Sequence, residues 1–292
     1  MWTGSFGCAA RTLSQCSGGI DDDRFEGRSA ESTRPRAFGG ELLAQVLVAA
    51  ARTTEERICH SLHATFLLPG NPALPIQYRV RRVRDGRRFA QRQVTAWQRG
   101  REILLATASF TMVNGKTAEH QHEPMPQVTG PDSLRSELEH RHDVADQIRD
   151  EDRDWLLTPR AVEVRQVSPV ALVDPTPVDP EAQTWLRAIG RLPDDHNLHC
   201  AVLAYASDMT LLDIACYPHG VSWVDPRVEQ ASLDHALWFH RPFRCDEWLL
   251  YAQAAPVQAG GRAFVRGSVF TRAGALVASV AQEGLSRFRQ GE

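Results

Sequence analysis

The sequence predicts an α+β protein made twice over: two fused copies of one long helix followed by an antiparallel β-sheet. Three observations carry this. Each half holds one Ala- and Leu-rich stretch with the pattern of a buried helix, over residues 38–52 and 198–216. Each stretch is followed by four strand-like runs separated by Gly, Pro and Asp breakers. Short identities also recur in chain order at a shift of 171 to 175 residues: Ser61-Leu62-His63-Ala64 with Ser232-Leu233-Asp234-His235-Ala236 (one residue inserted), Gly86-Arg87-Arg88-Phe89 with Gly261-Arg262-Ala263-Phe264, Val94 with Val269, and Gly100 with Gly274. One such match is chance; four in order are an internal duplication.

The elements follow in turn. Residues 1–19 have neither a basic start nor an apolar run, so they read as a divergent N-terminal segment and not as a leader. Folding signals begin near Ile20. In the first copy, residues 20–114, the pair Gly39-Gly40 opens the helix, and strands are expected over 61–68, 76–83, 89–98 and 103–112. Pro69-Gly70, Asp85-Gly86 and Arg99-Gly100 separate them, the last being a hairpin signal. Residues 115–160 change character, with Pro124, Pro126, Pro131 and Pro159, four histidines and many charges; they read as a linker with one polar helix near 132–150. The second copy, residues 161–292, repeats the order: a helix over 198–216, then strands near 232–240, 248–255, 263–271 and 276–285.

Composition narrows the function. Of 292 residues, 42% are hydrophobic and 24% charged, the balance of a folded globular chain. A formal net charge of −3 and a pI near 6.4 give no basic field for nucleic acid. Mean hydropathy is −0.34, and no apolar run approaches the length of a membrane span. Lys116 is the only lysine among 33 basic residues, which argues against Schiff-base catalysis and a P-loop. The six cysteines show no CxxC spacing, and the simplest compartment is a reducing cytoplasm. GxSxG, HExxH, GxGxxG and GxxxxGK are all absent, so any site is assembled across elements. His120-x-His122 and His140-x-His142 have chelating spacing, but no carboxylate or cysteine cluster completes a metal site.

Polar residues in apolar settings are the candidates. If the second helix runs through, Asp208 shares a stripe with Tyr205, Leu211, Leu212 and Ala215, where an unpaired carboxylate is costly. It either caps a break in that helix with Ser207 or does chemistry. Gln282 shares a strand face with Leu276, Ala278 and Val280, so it is a buried amide or a residue at a frayed strand end. Ser232 opens its strand on the face of Asp234, Ala236 and Trp238, the usual place of a turn residue. His235 and His240 fall on opposite faces, and His60 and His63 flank the matching strand of the first copy.

At these residues a family resemblance emerges. The run from FGGELLAQVLVAAAR through CHSLHATFLLPG to LLATASF resembles the first half of the acyl-CoA thioesterase II (TesB-like) family. RLPDD, AYASDM, YPHG, SLDHALWFHRPF, DEWLLY, RAFVRG and LVASVAQEG resemble its second half, so the likeness spans residues 20–288. It implies a double hotdog fold, two fused copies of a long helix wrapped by a curved antiparallel sheet. It also implies hydrolysis of acyl-CoA to free fatty acid and CoA, with no metal or redox cofactor. By motif the implied catalytic trio is Asp208 (ASD), Ser232 (before xDH) and Gln282 (QEG), holding one attacking water. Two departures stand out: Glu41 where the family has Gln after FGG, and residues 1–19, which match the family's leucine-rich start poorly. Two other readings remain: a hotdog hydratase or dehydratase using Asp234 and His235, and a catalytically silent acyl-CoA binding module. Exposed sheet edges suggest a homo-oligomer, a dimer or tetramer.

The repeat also implies one working centre per chain, in the second copy. Shifted back, Ser232 lands on Ser61, Gln282 on Phe110 or Thr111, and Asp208 near Ala37, with Glu41 the nearest carboxylate.

Overall fold

In the computed structural model, residues 17–21, 23–29, 35–112 and 118–288 are described; of the N-terminal segment 1–19, residues 1–16 lie outside this set. The chain opens with β1 (Ser17–Asp21) and β2 (Arg24–Gly27), followed by helix α1 (Gly39–Ala51). Then come β3 (Arg57–Phe66), β4 (Ile76–Asp85), β5 (Phe89–Gln98) and β6 (Arg101–Met112). These four are the runs the sequence predicts, with β3 starting four residues early because Arg57-Ile58-Cys59 already pairs with β6. The turn between β5 and β6 sits at Arg99-Gly100, both with positive φ.

The linker departs from expectation. The polar helix over 132–150 is instead a 3₁₀ turn at Pro131–Ser133, α2 (Glu137–Asp143), a second 3₁₀ turn at Ala145–Gln147 and α3 (Asp150–Leu157). Ser136 caps α2 in a capping box with Glu139, which restarts the helix after the proline-led turn. Two strands absent from the sequence reading follow, β7 (Val162–Gln166) and β8 (Glu181–Ala188), and then helix α4 (His196–Ser207). The chain ends with β9 (Val228–Ser232), β10 (Asp234–Phe239), β11 (Leu249–Ala259), β12 (Arg262–Thr271) and β13 (Leu276–Phe288).

Every pairing is antiparallel, and the strands form one sheet in the order β1-β2-β4-β5-β6-β3-β10-β13-β12-β11-β8-β7, with β9 added to β13. The two halves join at β3 and β10, where Leu62 faces Leu237 and Ala64 faces His235. α1 and α4 pack on each other against the inner face of the sheet. They are buried almost all round: Leu43, Val46 and Leu47 of α1 and Ala201, Val202 and Leu203 of α4 are fully inaccessible. A helix apolar on every side has to be a core helix. This is the double hotdog. One stretch, His196–His219, is apolar and long enough to pass as a membrane span, yet 83% of its 18-residue apolar window lies inside the protein, within the core helix and the 3₁₀ turn after it.

Close approach of the two helices requires glycine at the start of α1. A Cβ on Gly40 would stand 2.5 Å from the Tyr205 carbonyl oxygen of α4, and one on Gly39 2.7 Å from Asp208 Oδ2.

Candidate active site

The helix predicted over 198–216 does not run through. α4 ends at Ser207, Asp208 is its C-cap residue, and a separate 3₁₀ helix, Leu212–His219, follows. Asp208 therefore sits at a break, as one of the two readings required, but its carboxylate does no capping. It turns into the protein, 5% exposed, between α4, the start of α1, and β13. The predicted stripe holds only in part: Asp208 is buried, but at the end of α4 and not on a continuous helix.

Ser232 and Gln282 reach the same point from the sheet. The strand predicted over 232–240 is two strands, β9 and β10, separated at Leu233. That break ends the alternation of faces, so Ser232 turns inward while Asp234 and Trp238 stay exposed. Gln282 lies in mid-strand, since β13 continues to Phe288, and it is 1% exposed. The frayed-end alternative is thereby overturned.

The structure brings the three together. Gln282 Nε2 donates to Ser232 Oγ at 2.7 Å and to Asp208 Oδ1 at 3.1 Å. Ser232 Oγ stands 3.4 Å from Asp208 Oδ1 as donor, and the Gly40 backbone N–H also binds this carboxylate. Burial raises the Asp208 pKa from 3.8 to about 7, against the pull of the hydrogen bonds from Gln282, Gly40 and Ser232, which favour the ionised form. The result is a base that changes charge near neutrality, held by three donors.

Two further features stand beside the three, in places the sequence did not assign them. The first half supplies the Gly39-Gly40 end of α1, whose N-cap residue, Phe38, makes no side-chain cap, so the Gly40 amide is given to Asp208 while those of Glu41 and Leu42 turn back to the Phe38 carbonyl. The signal was present in the glycine pair before an apolar run, but only the packing of α1 on α4 shows what it faces. The second is His235, fully buried, with Nε2 2.9 Å from Ser207 Oγ and Nδ1 3.6 Å from Asp208 Oδ1. Burial lowers its pKa to about 4, so the ring is neutral beside the carboxylate.

The remaining candidates lie elsewhere. Asp234 is exposed and accepts the Glu283 N–H at 2.7 Å, so it does not meet His235 and the acid–base pair of a hydratase is not formed. His63 packs edge-on against Trp238, and His240 pairs with Ser279 at 2.9 Å. Among the described residues, no group of three His, Cys, Asp or Glu side chains gathers into a metal site.

Known proteins resemble the chain over most of its length. Residues 161–285 match the family described as Acyl-CoA thioesterase, and residues 28–111 match its N-terminal domain. Acyl-CoA thioesterase 2 of Haemophilus influenzae is 36% identical, over 93% of this chain and 94% of its own. Acyl-coenzyme A thioesterase 8 of Mus musculus is also 36% identical, over 92% of this chain and 86% of its own. The crystal structure of an acyl-CoA thioesterase II, TesB2, from Mycobacterium marinum superimposes with a TM-score of 0.75 at 37% identity, covering 97% of this chain and all of that one.

Proposed function

The chain belongs to the acyl-CoA thioesterase family and is a thioester hydrolase, and we propose that it cleaves fatty acyl-CoA by direct attack of one water held by Asp208, Ser232 and Gln282. The observation that supports this reading is the buried bridge from Gln282 Nε2 to both Ser232 Oγ (2.7 Å) and Asp208 Oδ1 (3.1 Å). It fixes a hydroxyl and a carboxylate side by side, the pair needed to orient a water and take its proton. Ionised Asp208 accepts a proton as the water oxygen attacks the thioester carbonyl carbon. The tetrahedral intermediate then expels CoA as the thiolate, leaving the fatty acid, and protons re-equilibrate with solvent. A thioester carbonyl is electrophilic and a thiolate leaves readily, so one well-placed base suffices. The amide end of α1 at Gly39-Gly40 is the positive pole nearest this reaction, the place for developing negative charge.

A base with a pKa near 7 suits the task, being both largely ionised and basic at neutral pH. We further assign the protein to a reducing cytoplasm, in keeping with the free thiols of Cys59, Cys200, Cys216 and Cys245, and to a dimer or tetramer, since β1 and β7 end the sheet formed by the described residues.

The test is incubation with palmitoyl-CoA and a thiol reagent. Release of free CoA in step with palmitate supports the reading. A protein that hydrates a 2-enoyl-CoA while leaving the thioester intact, or binds acyl-CoA without turnover, defeats it.

A further inference from the structure

The catalytic reading leaves unused a buried histidine that stands beside the trio. His235 has no access to solvent, and its ring is enclosed between α4 and β13. In the β10–β13 ladder Ala236 pairs with Ala281 and Leu237 with Val280, so the next step outward sets His235 against Gln282, both on the inner face. Two atoms here are shut away from water without a hydrogen bond of good geometry: His235 Nδ1 and Gln282 Oε1. Buried polar atoms are rarely left so, and two that face one another across adjacent strands are each other's natural partner.

We propose that His235 is a positioning residue: its Nδ1–H holds the Gln282 amide oxygen and thereby turns the amide NH₂ toward Ser232 and Asp208. The proposal rests on the trio reading above and adds to it the device that orients one member.

The argument is a count of donors and acceptors. A neutral imidazole carries one proton, on Nδ1 or on Nε2. With the proton on Nε2, it goes to Ser207 Oγ at 2.9 Å, and the Ser207 proton goes to the Ala204 carbonyl at 3.0 Å. The bare Nδ1 then faces Gln282 Oε1, with Asp208 Oδ1 3.6 Å away. Three acceptors would meet in a dry pocket with no proton between them. Rotating the Gln282 amide would give Nδ1 a donor, but it would turn Oε1 onto the Asp208 carboxylate, which stands 3.1 Å from the present nitrogen. Two oxygens at that separation repel when one is charged.

With the proton on Nδ1, every conflict is removed. Ser207 Oγ donates to Nε2, Nδ1–H donates to Gln282 Oε1, and the Gln282 NH₂ donates to both Ser232 and Asp208. The sole loss is the second bond to the Ala204 carbonyl. Tautomer and amide orientation are thus locked to one another, and the chain Ser207–His235–Gln282 ends on the two oxygens that hold the water.

The test combines three variants with one measurement on the wild-type protein. His235→Leu removes the donor, and kcat should fall about 10- to 100-fold with KM within about threefold, the scale of a misplaced catalytic group. His235→Asn, which returns an N–H near the Nδ1 position, should recover most of that loss. In a Gln282→Ala background, His235→Leu should change kcat by less than about threefold, since the residue through which it acts is gone. Additive losses, or no rescue by Asn, would make His235 a packing residue and overturn the proposal. Should His235→Leu fail to fold, the long-range ¹H–¹⁵N spectrum of histidine-labelled wild-type protein decides: a protonated Nδ1 at position 235 is expected, and a protonated Nε2 sinks the idea. The underlying trio fails separately, if Gln282→Ala alone retains wild-type turnover.

Discussion

Asp208→Asn should make the protein inactive and, above neutral pH, more stable. The native carboxyl has its pKa raised to about 7 from 3.8, so the folded state holds this proton more tightly than the unfolded state. The resulting stabilisation is fully present below about pH 4 and is lost as pH rises through 7. That separation corresponds to about 4 kcal/mol. Asn never ionises and escapes the loss. It offers only one oxygen to the three donors at this point, Gln282, Ser232 and the Gly40 N–H, and leaving one of them facing an amide NH₂ costs about 1–3 kcal/mol. The net gain at pH 8 is about 1–3 kcal/mol, a rise in Tm of several degrees for a chain of this size. Near pH 4 the carboxyl is already neutral, and the variant should be equal to wild type or less stable. Turnover of acyl-CoA should fall by about 10²–10⁴, the weight of a general base. The assay is a pair of thermal melts at pH 4.5 and pH 8 beside steady-state release of CoA. A variant destabilised equally at both pH values would show that Asp208 bears no ionisation cost, and wild-type turnover would remove it from the chemistry.

Three shorter predictions accompany it. Wild-type kcat/KM should rise with pH to a plateau with a midpoint near 7, the value to which burial raises Asp208, and Ser232→Ala should move the midpoint upward by removing a hydrogen bond that favours the carboxylate; a flat profile from pH 5 to 9 contradicts this. No acyl-enzyme should form, because Ser232 Oγ receives the Gln282 amide at 2.7 Å and its nearest base is Asp208 at 3.4 Å; rapid quenching with labelled acyl-CoA and intact-mass analysis should find only unmodified protein. Glu41→Gln, which keeps the shape of a side chain buried in the first turn of α1, should leave kcat within about threefold, or roughly 0.7 kcal/mol, and complete loss of turnover would refute the single centre.

Much of this was legible in the sequence because local chemistry and fold agree. The alternation in β4, β5, β12 and β13 and the all-apolar faces of α1 and α4 survive into the structure. What failed depends on contacts that no periodicity records. β7 and β8 are short and partly polar, and they become strands because β11 offers an edge to β8 and β8 one to β7. Gln282 was found because an amide among apolar strand residues is conspicuous. His235 is legible only as a candidate base or as the partner of Asp234, because strand alternation alone does not show which residue it faces. Its meaning came from the pairing of β10 with β13, a long-range fact.

The duplication bears on the proposal of a single centre once the copies are aligned in space and not by one shift. The shift of 171 put Asp208 at Ala37, ahead of α1. In the structure the C-cap of α4 is Asp208 and that of α1 is Arg52, because residues 209–227 of the second copy correspond to only a few after α1 in the first. Thr53 follows Arg52, and its hydroxyl and carbonyl are both taken by Arg92, a guanidinium buried on β5 and paired with Asp85 at 2.6 Å. Helix starts differ in the same sense. Asp195 caps α4 by accepting the Leu198 N–H, whereas α1 has no side-chain cap and gives the Gly40 N–H to Asp208. Ser61 lies opposite Trp238 on the face of His63, and Phe110 brings an apolar ring where β13 has Gln282. Asn197 fills the far end of the helix pair, binding the Cys59 N–H and the Arg57 carbonyl of β3. At one end of the helix pair, then, an uncapped N-terminus meets a buried carboxylate. At the other, a capped N-terminus meets the backbone of β3 through Asn197. The proposed base belongs to the first arrangement, which needs α1 from one copy and α4, β9 and β13 from the other. On the proposed trio, each half lacks a group the other supplies, the Gly40 N–H from one and Asp208 from the other, which is a physical reason for the two to remain fused.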